Sequence, residues 1–478
     1  MSIFKSCDVR GVVGEEWTAE DALRIGGSLG RMVQRRGQTS IWVGGDFRRS
    51  TAALKSALIE GLRRVGIDVQ DVGHVPTPVV QFAAREASCP NLAIVTASHN
   101  PGRYNGVKFL VGGRPAIPDL MAKLQAGLDT PWAPCARGAL RVREVTAEYE
   151  RWVIRCAREL LATTSGRAPG RPAPEAADRR GTGLAACADQ APLPHRVAVD
   201  AMGGACTDSA ARGLAAAGYD VVNTDTQLDP DYALRDPNPA RDRNLLPLIE
   251  AVRAERAELG VALDGDGDRV IFVAAEGGIA RPEQIAALLI DQCFPGGTVV
   301  FDLKCASLVA RTALAHRGTP IMQPSGHGFI KTTLLDRAAD LGVEVSGHHF
   351  FGVLKGGDDG LFTALVVLGL LQRLHSSLHA QLQRIGWPCI TPDLRLPFAG
   401  DCCAALESIA AHCGGQVSRL DGVRAEYPEG WGLARASITE PAMTFRFEGR
   451  DRDQLRCVVT RFLAGLPALQ QQLLDSIS

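Results

Sequence analysis

The strongest constraint on the fold is a unit that occurs three times along the chain. Each copy opens with a short apolar strand that ends on aspartate and turns into a helix. The strands are Ile41-Trp42-Val43 leading to Asp46, Val197-Ala198-Val199 leading to Asp200, and Val299-Val300-Phe301 leading to Asp302. The spacing of apolar residues predicts helices over 51–65, 207–217 and 305–317. A second strand, introduced by Gly66, Gly218 or Gly318, follows in each copy. After another helix, a third apolar strand runs into a polar loop. Leu92-Ala93-Ile94-Val95 leads to TASHNP (96–101), Gly260-Val261-Ala262-Leu263 to DGDGDR (264–269), and Leu341-Gly342-Val343 to EVSGHH (344–349). Strands alternating with helices imply mostly parallel sheets covered on both faces. Ligands bind such sheets at the carboxyl ends of the strands, so three related units would bring their loops to one central cleft.

The pattern changes from about residue 389, where short antiparallel strands are expected over 415–419, 422–427 and 442–448, with a helix over 452–463. The predicted fold is therefore α/β, with four domains around a central cleft. The first three are related mixed α/β/α sandwiches, and the fourth is a smaller α+β module. The expected boundaries are 1–145, 146–280, 281–388 and 389–478. A helix is expected over 146–161, and the Pro-, Gly- and Ala-rich stretch 164–194 is expected to be mobile.

Composition excludes several classes. Lys+Arg (52) and Asp+Glu (53) nearly cancel, for a formal net charge of -1, so no strong field points to nucleic acid or an anionic membrane. No apolar run approaches the roughly 18 residues that span a bilayer. The longest, 361–374, is interrupted by Gly369 and reads as a buried helix. The 13 cysteines are scattered, as in the free thiols of a reducing cytosol. A cytoplasmic protein, with neither nucleic-acid nor membrane partners, is expected.

The loops carry the chemistry. Asp264, Asp266 and Asp268 alternate with glycines that allow a tight turn, which aims three carboxylates at one spot. Oxygen ligands of this kind suit Mg²⁺, and Arg269 adds a phosphate-binding fork. Ser98 is a candidate nucleophile, since His99, Asn100 and Lys108 could supply part of an activating shell. Glu344, Ser346 and His348 alternate; on an extended segment they would share a face suited to a polyhydroxyl ligand, or belong to a satisfied surface loop. Arg435, Ser437 and Thr439 alternate likewise, as a phosphate clamp or as the polar face of a strand.

With these motifs in this order, the chain resembles the α-D-phosphohexomutase family, in its bacterial phosphomannomutase/phosphoglucomutase branch. The resemblance covers nearly the whole chain. It rests on FKSCDVRG (4–11), VPTP (75–78), TASHNP, DGDGDR, EVSGH and DGVRAEYPEGWGLARAS (421–437). It implies a mutase that interconverts hexose 1-phosphate and hexose 6-phosphate of mannose or glucose, acting as a monomer or homodimer on small sugar phosphates. It implies that Ser98 carries the phosphoryl group, that Asp264, Asp266 and Asp268 hold Mg²⁺ with Ser98, and that a hexose 1,6-bisphosphate serves as intermediate and activator. Lys108 and His348 are implied in proton transfer, with Arg10 beside them. Arg269, Lys304, His327, Glu344, Ser346, Arg435, Ser437 and Thr439 are implied in substrate binding. Cys7, Val343 and Ile438 depart from the family pattern. The alternatives are a haloacid-dehalogenase-like phosphatase with Asp264 as nucleophile, and a catalytically impaired sugar-phosphate-binding homologue.

Overall fold

The computed structural model describes residues 3–132, 135–164, 196–436 and 442–477. Four sheets organise it. In the first, Ser40–Gly45 is flanked by Asp68–His74 and Leu92–Val95, both parallel to it. Tyr104–Val111 then returns antiparallel beside Leu92–Val95, and Val9–Val12 closes that edge. The second sheet repeats the scheme. Arg196–Asp200 lies parallel to Asp220–Asn223 and Leu259–Leu263, and Val270–Ala274 returns antiparallel. In the third, Thr298–Asp302 lies between Thr319–Gln323 and Leu341–Val343, and His349–Phe351 returns antiparallel.

Each repeat therefore has a fourth strand beyond the three read from the sequence, and the polar loops of the second and third units are tight hairpin turns. This corrects the extended reading of residues 344–348. Gly347 takes φ 101°, its N–H donates to Glu344 O at 3.1 Å, and Glu344 N–H donates to His348 O at 3.1 Å. Only glycine adopts that backbone without strain. The strand-ending aspartates also share a task. Each accepts a hydrogen bond from the backbone N–H two residues on: Arg48 to Asp46 at 3.1 Å, Met202 to Asp200 at 2.9 Å, and Lys304 to Asp302 at 2.8 Å. This turn caps the first strand of every unit and starts the path into its helix.

The first three sheets share one continuous apolar core. The helix Gly360–Leu374 is apolar nearly all round because it is buried on nearly all sides, against Thr146–Thr164, the second sheet and Pro282–Gln292. Asp359 caps its start by accepting from Phe362 N–H at 2.9 Å, and the Tyr149 hydroxyl donates to the same carboxylate at 2.9 Å. This helix follows the third sheet in sequence yet packs against the second, so it binds those units together. Among the described residues no single helix is long and apolar enough to cross a membrane. The helix expected to end at 161 runs on to Thr164, and the rest of the stretch expected to be mobile lies outside the described residues.

The fourth sheet is antiparallel, with its own core. It contains the strands expected near 415–419, 422–427 and 442–448. It also holds Gly430–Ala436, Cys389–Ile390 and Leu394–Pro397, which sequence reasoning did not place.

Candidate active site

The loop after Leu92–Val95 presents Ser98 in the left-handed region, at φ 51°, with its side chain fully buried. A non-glycine residue holds that conformation only where its surroundings enforce it. Arg48 is the enforcer. Its guanidinium donates to four carbonyls of the loop: Ser98 and Asn100 at 2.7 Å, Pro101 at 2.8 Å and Tyr104 at 3.2 Å. Asp46 accepts from Arg48 Nε at 3.0 Å and from the Thr51 and Thr96 hydroxyls at 2.6 and 2.8 Å. Ser98 Oγ donates to Asp264 Oδ2 at 2.6 Å, and His99 Nδ1 lies 3.2 Å from it. The first and second units thus meet at Ser98.

Asp264, Asp266 and Asp268 are all buried, and each offers an oxygen within 4.8 Å of the other two. Lys108 enters from Tyr104–Val111, donating to Asp266 Oδ2 at 2.8 Å and to Asp268 Oδ2. Thr77, in the VPTP motif, donates its backbone N–H to Asp266 O at 2.8 Å and its hydroxyl to Asp266 Oδ2 at 2.7 Å. Burial, with Asp266 and Asp268 alongside, pushes the Asp264 carboxyl up to about 8. Burial and Asp266 also raise Asp268. Against the same burial, Lys108 holds Asp266 below the ordinary carboxylate range. Asp266 Oδ1 and Asp268 Oδ1 are buried with no hydrogen-bond partner among the described residues. Clustered carboxylates with unspent oxygens suit a hard divalent cation, and these residues fit one.

His348 links the second and third loops. A β-bridge joins it to Arg269, and its Nε2 accepts from Arg269 Nε at 2.9 Å. Its Nδ1 faces Asp358 Oδ2 at 2.9 Å, while Gln81 donates to the other Asp358 oxygen at 3.0 Å. Glu344 accepts from Gly326 N–H at 2.8 Å and lies 3.3 Å from Ser346 Oγ. His327 opens the helix His327–Asp336, with a buried Nε2 that has no partner among the described residues. Burial, with the Lys108 charge nearby, lowers its pKa to about 3. Arg10 lies on Val9–Val12 and donates to Asn100 Oδ1 at 2.8 Å, while pairing with Asp8. Lys304 Nζ donates to Asp393 at 3.2 Å, and Arg435 pairs with Asp421 at 2.6 Å. A cleft of about 740 Å³ opens among the four sheets, lined by His99, Arg269, Lys304, Ser346, Thr391 and Arg446 among others. Ser437 and Thr439 lie outside the described residues.

Models of the phosphoglucomutase/phosphomannomutase α/β/α domains I, II and III match residues 1–131, 182–277 and 281–386. A phosphomannomutase/phosphoglucomutase of Pseudomonas aeruginosa is 32% identical across 99% of this chain and 97% of its own length. The chain belongs to the phosphoglucomutase/phosphomannomutase family. A phosphoglucomutase of Neisseria meningitidis is 29% identical over 97% of the chain and 96% of its own length. A solved family structure from Burkholderia thailandensis superposes with a TM-score of 0.82 at 31% identity, covering 98% of this chain and 97% of that one. Membership makes the chain an enzyme of the phosphohexomutase class and removes the phosphatase alternative.

Arg48, Thr77, Gln81 and Asp358 hold the Ser98 loop, Asp266 and His348 through these contacts, and sequence reasoning named none of them as site residues. The local signals were Arg48 standing two residues after a strand-ending aspartate and Thr77 standing in the VPTP motif. The departures Cys7 and Val343 are both buried. Burial, with Asp8 alongside, pushes the Cys7 thiol up to about 12, which disfavours the reactive thiolate. Ile438 lies outside the described residues.

Proposed function

We propose that this enzyme interconverts the 1- and 6-phosphates of mannose, glucose or both, with Ser98 as the phosphoryl carrier. The observation that supports this most is the 2.6 Å contact between Ser98 Oγ and Asp264, at the meeting point of loops from separate sheets. In this reading Asp264, Asp266 and Asp268 hold Mg²⁺ together with the phosphate on Ser98. When bound, the cation supplies charge neutralisation for the transferring group.

The protein groups do the rest. Phosphoserine gives its phosphoryl group to the free hydroxyl of a hexose monophosphate, and the Oγ–P bond breaks as the new P–O bond forms. Burial would lower the Lys108 pKa, but Asp266 and Asp268 raise it, so Lys108 serves as a fixed cation. His348 is the better acceptor for the hydroxyl proton. Its Nε2 carries a lone pair that Arg269 now engages, and it becomes free when Arg269 turns to the phosphate. Arg10 steadies the serine loop through Asn100. Glu344 and Ser346 take sugar hydroxyls. Arg435, Ser437 and Thr439, with Lys304 and His327, hold the phosphate that is not reacting. The hexose 1,6-bisphosphate turns round in the cleft and returns its other phosphoryl group to Ser98. The same bisphosphate, added free, would recharge enzyme that has lost its phosphate.

The test is conversion of mannose 1-phosphate and glucose 1-phosphate to their 6-phosphates by wild-type and Ser98→Ala protein. The reading expects turnover that chelation abolishes and Mg²⁺ restores, and that Ser98→Ala reduces by orders of magnitude. Wild-type protein that binds these compounds but never converts them would favour a binding-only homologue.

A further inference from the structure

Lys304, one of the cations proposed to hold the distal phosphate, is already engaged by an acid, Asp393. Asp393 lies just before the strand Leu394–Pro397, in which Leu394 pairs with Phe445 of Ala442–Gly449. That register sets Asp393 beside Arg446. Asp393 Oδ2 accepts from Lys304 Nζ at 3.2 Å, and its Oδ1 lies 3.5 Å from Arg446. Arg446 is opposite Leu433 on the neighbouring strand, two residues from Arg435. Alternate residues of a strand share a face, so both arginines stand on one face of the fourth sheet. Burial opposes ionisation of Asp393, yet Lys304, Arg446 and Arg435 together hold its carboxyl below the usual range.

Arg446 is only loosely satisfied. Its contacts to Asp393 and Glu283, at 3.5 and 3.6 Å, are ion pairs longer than a good charge-assisted hydrogen bond. Its Nε is buried with no partner among the described residues. Both Arg446 and Asp393 line the 740 Å³ cleft, although sequence reasoning assigned neither of them a role.

We infer that Asp393 is an internal stand-in for the distal phosphate, and that Arg446 is a further member of that phosphate subsite. This rests on the mutase reading above. Asp393 occupies Lys304 and Arg446, as Asp421 occupies Arg435, and a dianionic phosphate monoester displaces Asp393 by offering more charge and three oxygens. Singly charged anions gain little by doing so, which biases the subsite toward phosphate. The stand-in also weakens the grip on the distal phosphate, which suits an intermediate that must let go and turn round.

The experiment measures inorganic phosphate binding to the full-length enzyme by calorimetry, and phosphate inhibition against glucose 1-phosphate. Asp393→Asn, a near-isosteric change at a partly exposed residue, should tighten phosphate binding roughly 2- to 10-fold, the worth of two solvent-screened ion pairs. Arg446→Gln should weaken it about 10-fold or more, with KM for the hexose phosphate rising in parallel. In the double variant the gain from Asp393→Asn should shrink, because the two groups act on one another. Unchanged or weaker phosphate binding in Asp393→Asn would overturn the stand-in and leave Asp393 as a support for Lys304. Unchanged binding in Arg446→Gln would remove Arg446 from the subsite. Wild-type turnover is measured alongside. Turnover without tightening in Asp393→Asn overturns this inference alone, whereas no wild-type turnover overturns the mutase reading.

Discussion

Replacing Arg48 with methionine should damage both the stability of the first domain and the chemistry at Ser98. The arginine and Asp46 side chains have no solvent exposure at all. Methionine fills similar space but removes the charge and five donated bonds, one to Asp46 and four to loop carbonyls. The Thr51 and Thr96 hydroxyls still reach Asp46, but they bring no positive charge. Breaking a buried ion pair from one side costs about 3–5 kcal/mol, because it strands the partner's charge. For a domain of this size that corresponds to a fall of roughly 6–20 °C in the transition that unfolds it. The loop should also lose the enforcement that keeps Ser98 at positive φ, so its amides should exchange with solvent much faster. Arg48→Lys keeps the charge without the planar fork and should recover only part of the loss. Thermal unfolding by circular dichroism, with hydrogen exchange across residues 96–104, measures both effects. An Arg48→Met protein within about 1 kcal/mol of wild type, with normal exchange in that loop, would refute the reasoning.

Two further outcomes follow from the same structure. Arg435→Ala should raise KM about 10- to 150-fold, the value of one charge-assisted contact to phosphate, and should let hexose 1,6-bisphosphate escape into solution. Phosphorus NMR of the reaction detects that leak, and an unchanged KM with no free bisphosphate would separate Arg435 from the distal phosphate. Burial, partly offset by Phe362 N–H and Tyr149, pushes the Asp359 carboxyl from 3.8 up to about 7. The folded state then holds the proton more tightly than the unfolded chain, so the stability from this group is full below about pH 4 and falls as pH rises toward about 7. Asp359→Asn keeps an acceptor for the helix cap and should flatten stability across that window; parallel pH profiles for the two proteins would contradict this.

Much of the architecture was legible because the three strands of each repeat are bounded by aspartate, glycine and polar loops that recur in order. The returning antiparallel strands were not. Val270–Ala274 is fully buried and apolar, like the strand before it, and strand direction leaves no mark on so short a run. The strand Gly430–Ala436 was hidden by Gly430-Trp431-Gly432, which reads as a turn, although a side chain at Gly430 would meet the Glu448 backbone and one at Gly432 the Phe462 and Phe447 rings. The helix Gly360–Leu374 was read correctly as buried, but its neighbours in the second unit are a tertiary fact. The site divides in the same way. Ser98 and the three aspartates were visible because their motifs are local. Gln81 and Asp358, 277 residues apart in sequence, were not, because only the folded chain brings them together behind His348.

Ser98 as the phosphoryl carrier can be tested without kinetics. The most direct measurement is the intact mass and peptide map of the purified enzyme, before and after brief exposure to excess glucose 1-phosphate with Mg²⁺. One phosphate is expected on the peptide containing Ser98, with its transfer to give hexose 1,6-bisphosphate, and no phosphate at all on Ser98→Ala. Turnover by wild-type enzyme whose Ser98 never bears phosphate, either at rest or after exposure to hexose 1,6-bisphosphate, would contradict that role for Ser98.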